Sequence, residues 1–165
     1  MDYQIDNLDR QILEILSGNA RTPYTEIAEK LIVSAGTIHV RMKKMEAAGV
    51  VKGTEIVVDS AKLGFDLTAF IGVFLDKGAS YQNVIAQLKE IEEIVEAFYT
   101  TGGYSIFLKV VCRNTENLRE VLNEKIQKVD GIQRTETTIS LEQSIRRKAP
   151  LRAIDENTST DQNQS

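Results

Sequence analysis

The apolar residues of this 165-residue chain change their spacing part-way along, and that change constrains the fold more than any other feature. Up to about residue 50 they recur every three or four positions, as on helices; from residue 67 two-residue alternation and helical spacing take turns. In the first half, Leu8, Ile12, Leu13, Ile15 and Leu16 define an amphipathic helix, with Asp6 placed as N-cap and Gly18 as a stop. The stretch "TPYTEIAEKL" starts a second, short helix at Thr22 and Pro23 and puts Ile27, Ala28 and Leu31 on one face. Ile32 and Val33 make a turn, Ser34 caps a third helix that runs to about Ala48, and Gly49 closes it. The β-rich run Glu55 to Val58 predicts a small ribbon or wing.

In the second half "LTAFIGVFL" (Leu67 to Leu75), "IVEAFYTT" (Ile94 to Thr101), "SIFLKVVC" (Ser105 to Cys112) and "IQRTETTISL" (Ile132 to Leu141) read as strands. Between them "YQNVIAQLKEI" and "NTENLREVLNEKIQKV" read as helices. Two successive βαβ units predict a ferredoxin-like βαββαβ domain, an antiparallel sheet with both helices on one face, so the fold class is α+β. Both faces of the strands are apolar, since Ile71, Val73 and Leu75 alternate with Phe70 and Phe74, and Ile106, Leu108 and Val110 with Phe107 and Val111. Helices on one side cover only one such face, so the other is expected to pair with a second copy of the chain. The polar stretch "DSAKLGFD" marks a boundary. The expected division is residues 1–58, a linker at 59–66, a second domain at 67–145 and a tail at 146–165, disordered from Asp155 for want of apolar residues.

The net charge is −4, too acidic for a protein that coats nucleic acid indiscriminately, but charge is unevenly placed. The stretch Val33 to Gly53 holds the single histidine, His39, together with Arg41, Lys43 and Lys44. Two short helices, a tight turn and a serine-capped cationic helix follow the order of a helix-turn-helix, whose third helix enters the major groove of duplex DNA. Ile38, Met42 and Met45 would hold that helix inward. Ser34, Gly36, Thr37, His39, Val40, Arg41 and Lys44 are then left for DNA, the N-terminal members nearest base edges and the cations for guanine or phosphate. The alternative is a merely solvated cationic face, partly balanced by Glu46. In a dimer, two such helices predict half-sites roughly 34 Å apart, or a multiple of that spacing.

"YTTGGYS", Tyr99 to Ser105, joins two strands. It reads as a hairpin in which Gly102 and Gly103 supply positive φ, and also as a cradle whose amides and hydroxyls suit a small carboxylate, with Glu136 on a neighbouring strand to meet an ammonium group. An RNA-recognition domain is a rival reading, because "GGYSIFLKV" echoes an aromatic third strand, but the basic residue expected before the glycine is absent. One histidine and one cysteine in different halves, with no paired carboxylates and no phosphate-binding loop, make no catalytic constellation. No enzymatic activity, metal or cofactor is therefore expected. The lone Cys112 forms no internal disulfide, no apolar run spans a membrane and the N-terminus is acidic, which together point to the cytoplasm.

The stretches "IDNLDRQILEIL", "NART", "GTIHVR", "AAGVV", "YTTGGYSIFLKV" and "TET" resemble the Lrp/AsnC family of bacterial and archaeal transcription regulators, over about Ile5 to Leu141. The resemblance implies a winged helix-turn-helix followed by a ferredoxin-like effector domain. It further implies dimers that assemble, often to an octamer around which DNA wraps, and an amino-acid effector, asparagine or another, bound near the glycine turn. Carried over onto this chain, the effector set is Tyr99, Thr100, Thr101, Gly102, Gly103, Tyr104 and Ser105, with Thr135, Glu136 and Thr137 of "TET". Many family members have an acidic residue where Ser105 stands, and "YS" here matches the asparagine-responsive branch.

Overall fold

A computed structural model describes residues 3–147 and 149–151. The expected disordered tail from Asp155 lies outside the described residues. The chain forms two compact units: residues up to Ile56, joined by the stretch from Arg147, and Val57 to Arg146. In the first unit the helices are α1 (Asn7–Gly18), α2 (Tyr24–Leu31) and α3 (Ala35–Ala47). The start of α1 and the end of α3 have identifiable causes. Asp6 and Asp9 form a reciprocal capping box on α1: Asp6 Oδ1 accepts from the Asp9 amide at 2.9 Å, and Asp9 Oδ2 from the Asp6 amide at 3.1 Å. At the other end of the unit Gly49, at φ +71°, lets the Val50 amide reach the Met45 carbonyl and its own amide reach that of Glu46, closing α3. The core is Ile12, Ile27, Ala28, Ile38, Met42 and Met45, so one face of each helix turns inward as the spacing predicts.

The run Glu55 to Val58, expected to form a ribbon or wing, contains no strand, and Ile56, Val57 and Val58 are exposed. A strand exists only through ladder partners, and among the described residues the first unit contains no strand to supply them. The polar stretch that follows contains a short 3₁₀ turn at Ala61–Leu63.

The second unit runs β1 (Leu67–Leu75), α4 (Tyr81–Leu88), β2 (Ile94–Tyr99), β3 (Ile106–Cys112), α5 (Thr115–Glu120) and β4 (Ile132–Ile139); α5 continues through a widened turn, Val121–Lys125, and a 3₁₀ turn, Ile126–Lys128. The sheet order is β2-β3-β1-β4 with antiparallel pairing throughout, the ferredoxin-like arrangement. Ala69, Ile71 and Val73 of β1 and Ile106, Leu108, Val110 and Cys112 of β3 are fully buried in one core with Val84, Leu88, Leu118, Val121 and Ile126 of the helical layer. The alternate residues Phe70, Phe74, Phe107 and Val111 lie on the open face, half-buried, with the Phe70 and Phe107 rings stacked 5.8 Å apart. That face is more mixed than expected: Glu96 and Lys109 pair across it at 2.8 Å, and the register adds Arg134, Glu136 and Thr138 of β4.

Candidate functional site

Helix α3 presents its outer face as follows. The Ser34 hydroxyl accepts from the Thr37 amide at 3.0 Å and lies 2.9 Å from the Thr37 hydroxyl, which fixes the helix start. Ser34, Gly36, His39, Val40, Lys43 and Lys44 are exposed, and Thr37 is half-buried. A side chain at Gly36 would meet only the Ser34 hydroxyl, at an ordinary 3.6 Å, so packing does not demand glycine there. The His39 ring lies 6.1 Å from that of Tyr24 on α2.

Arg41 departs from expectation. Instead of pointing outward for guanine or phosphate it turns back onto α1, where Nη1 pairs with Asp6 Oδ2 and, at 3.1 Å, with Asp9 Oδ1. Asp9 is fully buried, and its other carboxylate oxygen accepts from the Tyr3 hydroxyl at 2.8 Å. The physical reason is the buried carboxylate: a charge excluded from water draws the cation within reach. Hydrogen bonding to Asp6 and then Asp9 raises the Arg41 pKa, and the Arg41 hydrogen bond is the chief cause that lowers that of Asp6. The counter-charge to this part of α3 thus comes from Asp6 and Asp9, not from Glu46. Asp6 was legible in the sequence only as a helix cap, so the ion pairs needed the packing of α3 on α1 to become visible.

In the glycine turn Gly102 has φ +107°, whereas Gly103 does not adopt positive φ, so one glycine rather than two meets that need. The turn is tied by the Thr100 amide to the Ser105 carbonyl (3.1 Å), the Thr100 hydroxyl to the Tyr104 carbonyl (2.7 Å) and the Ser105 amide to the Val73 carbonyl (2.9 Å). Among the described residues, the amides of Thr101, Gly102 and Gly103 reach no protein acceptor. Tyr104 folds onto the open face, its ring lying over Gly72, edge-on to Phe74 at 5.1 Å and near Phe107 at 6.0 Å. Its hydroxyl donates to Glu136 Oε2 at 2.9 Å, and Glu136 also pairs with Arg134, whose guanidinium lies 3.4 Å above the Phe74 ring. Arg134 foremost, then Tyr104, holds the Glu136 carboxyl below its usual range. Glu136, expected to meet a ligand ammonium, already faces a cation.

The register separates the other members of the expected set. Glu136 pairs with Gly72 on the open face, whereas Thr135 and Thr137 pair with Val73 and Ile71 and face the helical side. Tyr99 is also on that side, its ring 4.4 Å from Tyr81 of α4. The structure therefore gathers Thr100, Tyr104, Ser105 and Glu136 and leaves Tyr99, Thr135 and Thr137 across the sheet. Gly72 and Arg134 join the cluster although no reading of spacing named them; the available signal was a glycine inside a strand, which marks close approach.

Known proteins share both units. Residues 5–52 match the winged helix-turn-helix DNA-binding family and residues 68–150 the Lrp/AsnC ligand-binding domain. The regulatory protein AsnC of Escherichia coli K12 is 51% identical over 146 residues, covering 88% of this chain and 96% of its own length. This chain belongs to the Lrp/AsnC family of transcription regulators. The Haemophilus influenzae AsnC is 50% identical over 145 residues, 88% of this chain and 97% of that protein. The structure of E. coli AsnC superimposes with a TM-score of 0.85 at 50% identity, covering 89% and 99% of the two chains. The feast or famine regulatory protein of Mycobacterium tuberculosis, solved with L-methionine, gives 0.84 at 25% identity, covering 90% and 100%. Among the described residues no helix is long and apolar enough to cross a membrane.

Proposed function

We propose that this Lrp/AsnC-family regulator reads duplex DNA through the outer face of α3 and that an amino acid at the glycine turn sets its DNA affinity or oligomeric state. Support for the first half is the exposed set Ser34, Gly36, His39, Val40, Lys43 and Lys44 on a helix whose opposite side is locked into the core by Ile38, Met42 and Met45. Ser34 and the adjoining helix start suit a phosphate, Val40 suits a thymine methyl, and Lys43 and Lys44 suit backbone phosphates or guanine. Arg41 leaves this contact set because its guanidinium is engaged elsewhere.

Support for the second half is the exposed turn whose amides bond no protein group beside Thr100 and Ser105, donors that suit a carboxylate, and the M. tuberculosis relative solved with L-methionine. Asparagine is the first candidate, from the match to the AsnC proteins. Chains pair through the open sheet face, and a further assembly to an octamer would let DNA wrap around the particle. The compartment is the cytoplasm, where duplex DNA and free amino acids meet.

Two measurements test this reading. Lys44→Ala is expected to reduce the slope of log affinity against log salt by about 0.9, the worth of one phosphate contact; an unchanged slope sinks the α3 assignment. Titrating each of the twenty amino acids while following DNA binding and particle size is expected to single out one or a few that change either. No response to any of them would remove the effector half.

A further inference from the structure

We infer that Arg41 is a positioning residue for DNA recognition: with Asp6, Asp9 and Tyr3 it sets how α3 is presented, and touches no phosphate itself. This rests on the reading that α3 faces DNA. The geometry that carries it is a closed set of hydrogen bonds. Asp6 Oδ1 caps the Asp9 amide while Oδ2 takes Arg41; Asp9 Oδ1 takes Arg41 while Oδ2 takes the Tyr3 hydroxyl and the Asp6 amide. Every carboxylate oxygen at the start of α1 is thereby used, and the one cation these carboxylates share comes from the middle of α3. Asp9 is fully buried, so swinging Arg41 out to a phosphate would strand a charge without its partner in the core. The Arg41 side chain is only 29% exposed, in keeping with a tether rather than a groping contact.

The α1–α3 packing is otherwise apolar and non-directional, built on Ile12 against Ile38, Met42 and Met45. Apolar surfaces tolerate small rotations and slides, whereas a two-carboxylate bracket does not. Arg41 lies one turn beyond Thr37 and three residues before Lys44, so fixing it fixes the rotation of α3 about its own axis and hence the direction of the DNA-facing side chains.

The test exploits a sign. Replacing an acidic residue beside a DNA-binding helix ordinarily strengthens DNA binding by removing repulsion. Here Asp6→Asn and Asp9→Asn are expected to weaken it. The probe is a duplex selected by the wild-type chain from a random-sequence pool, with an unselected duplex of equal length for comparison, and affinity is followed across salt concentrations. Asp6→Asn, Asp9→Asn and Arg41→Gln should each weaken binding to the selected duplex by roughly tenfold, the worth of about one base contact. The salt slope should not change, and Arg41→Gln/Asp9→Asn should bind no worse than the weaker single variant. A slope lowered by about 0.9 in Arg41→Gln would make Arg41 a phosphate contact and overturn the inference. Tighter or unchanged binding by the aspartate variants would overturn it too. Should Asp9→Asn fail to fold, Asp6→Asn, half-exposed and able to cap α1 as asparagine, carries the test alone. Lys44→Ala measured alongside separates this failure from that of the α3 reading.

Discussion

Two single residues hold backbone or packing arrangements that their own side chains do not favour. Ile32, at the end of α2, has φ +56°, the left-handed conformation that suits glycine or asparagine and costs a β-branched residue about 1–2 kcal/mol. It is 93% exposed, so no burial offsets that cost. Ile32→Asn is therefore expected to raise the stability of the chain by up to about 1 kcal/mol in denaturant unfolding; Ile32→Gly gains less, because glycine adds unfolded-state entropy. The turn at Ile32 was legible from its neighbours' spacing, but its handedness was not, since isoleucine carries no signal for it. Gly72 is the converse, a residue required by another. A Cβ there would lie 2.4 Å from the Tyr104 ring, so Gly72→Ala must drive the ring off the sheet and break its bond to Glu136. The expected loss is about 1–3 kcal/mol. In a Tyr104→Ala background the same substitution should cost close to nothing, and a double-mutant cycle showing simple additivity would contradict the packing described.

At the scale of elements, caps and apolar spacing were enough to place α1, α2 and α3, because local chemistry bounds them: Asp6, Pro23 and Ser34 at their starts and Gly49 at the end of α3 act within a turn of themselves. The Glu55–Val58 run failed for the opposite reason. Its β-branched residues favour extended backbone, but a strand is defined by a neighbour, and spacing along a chain does not reveal one. Arg41 is a similar case, its cationic character being legible and its pairing with Asp6 and Asp9 not. The start of α1 also carries a pH dependence. Hydrogen bonding from Arg41, followed by that from the Asp9 amide, holds the Asp6 pKa below its ordinary 3.8. A depressed carboxylate stabilises the fold at pH values above its unfolded pKa, and that contribution disappears as pH falls through the lower folded value. Thermal melts of wild type and Asp6→Asn are thus expected to differ most above about pH 5 and to converge in stronger acid. Because Asp6 is half-exposed the difference is modest, and one that grew on acidification would contradict the assigned pairing.

For the molecule as a whole, the open sheet face is the surface on which the proposed self-association turns. Phe70, Phe74 and Phe107 lie on the two central strands of the open face, while the edge strands carry Glu96, paired with Lys109 of β3, and the Arg134–Glu136 pair. An apolar centre flanked by charged pairs has the composition of a protein interface more than of a solvated sheet. The alternation on both strand faces made the apolar residues of this face legible in the sequence; the ion pairs among them did not show, because they depend on which strands are neighbours. Under the proposed pairing, a second copy would supply the matching surface by symmetry, against the Phe70 and Phe107 rings stacked within each chain. Phe107→Glu places a carboxylate where neither copy offers a free cation, since Lys109 is already paired. Light scattering at micromolar concentration is expected to give a multiple of the chain mass for wild type and for Phe107→Leu. Phe107→Glu should give a single chain with unchanged circular dichroism and, having lost the pairing of two α3 helices, much weaker binding to the selected duplex. A wild-type protein that scatters as a single chain, or a Phe107→Glu variant that assembles as before, would remove the sheet face as the site of association.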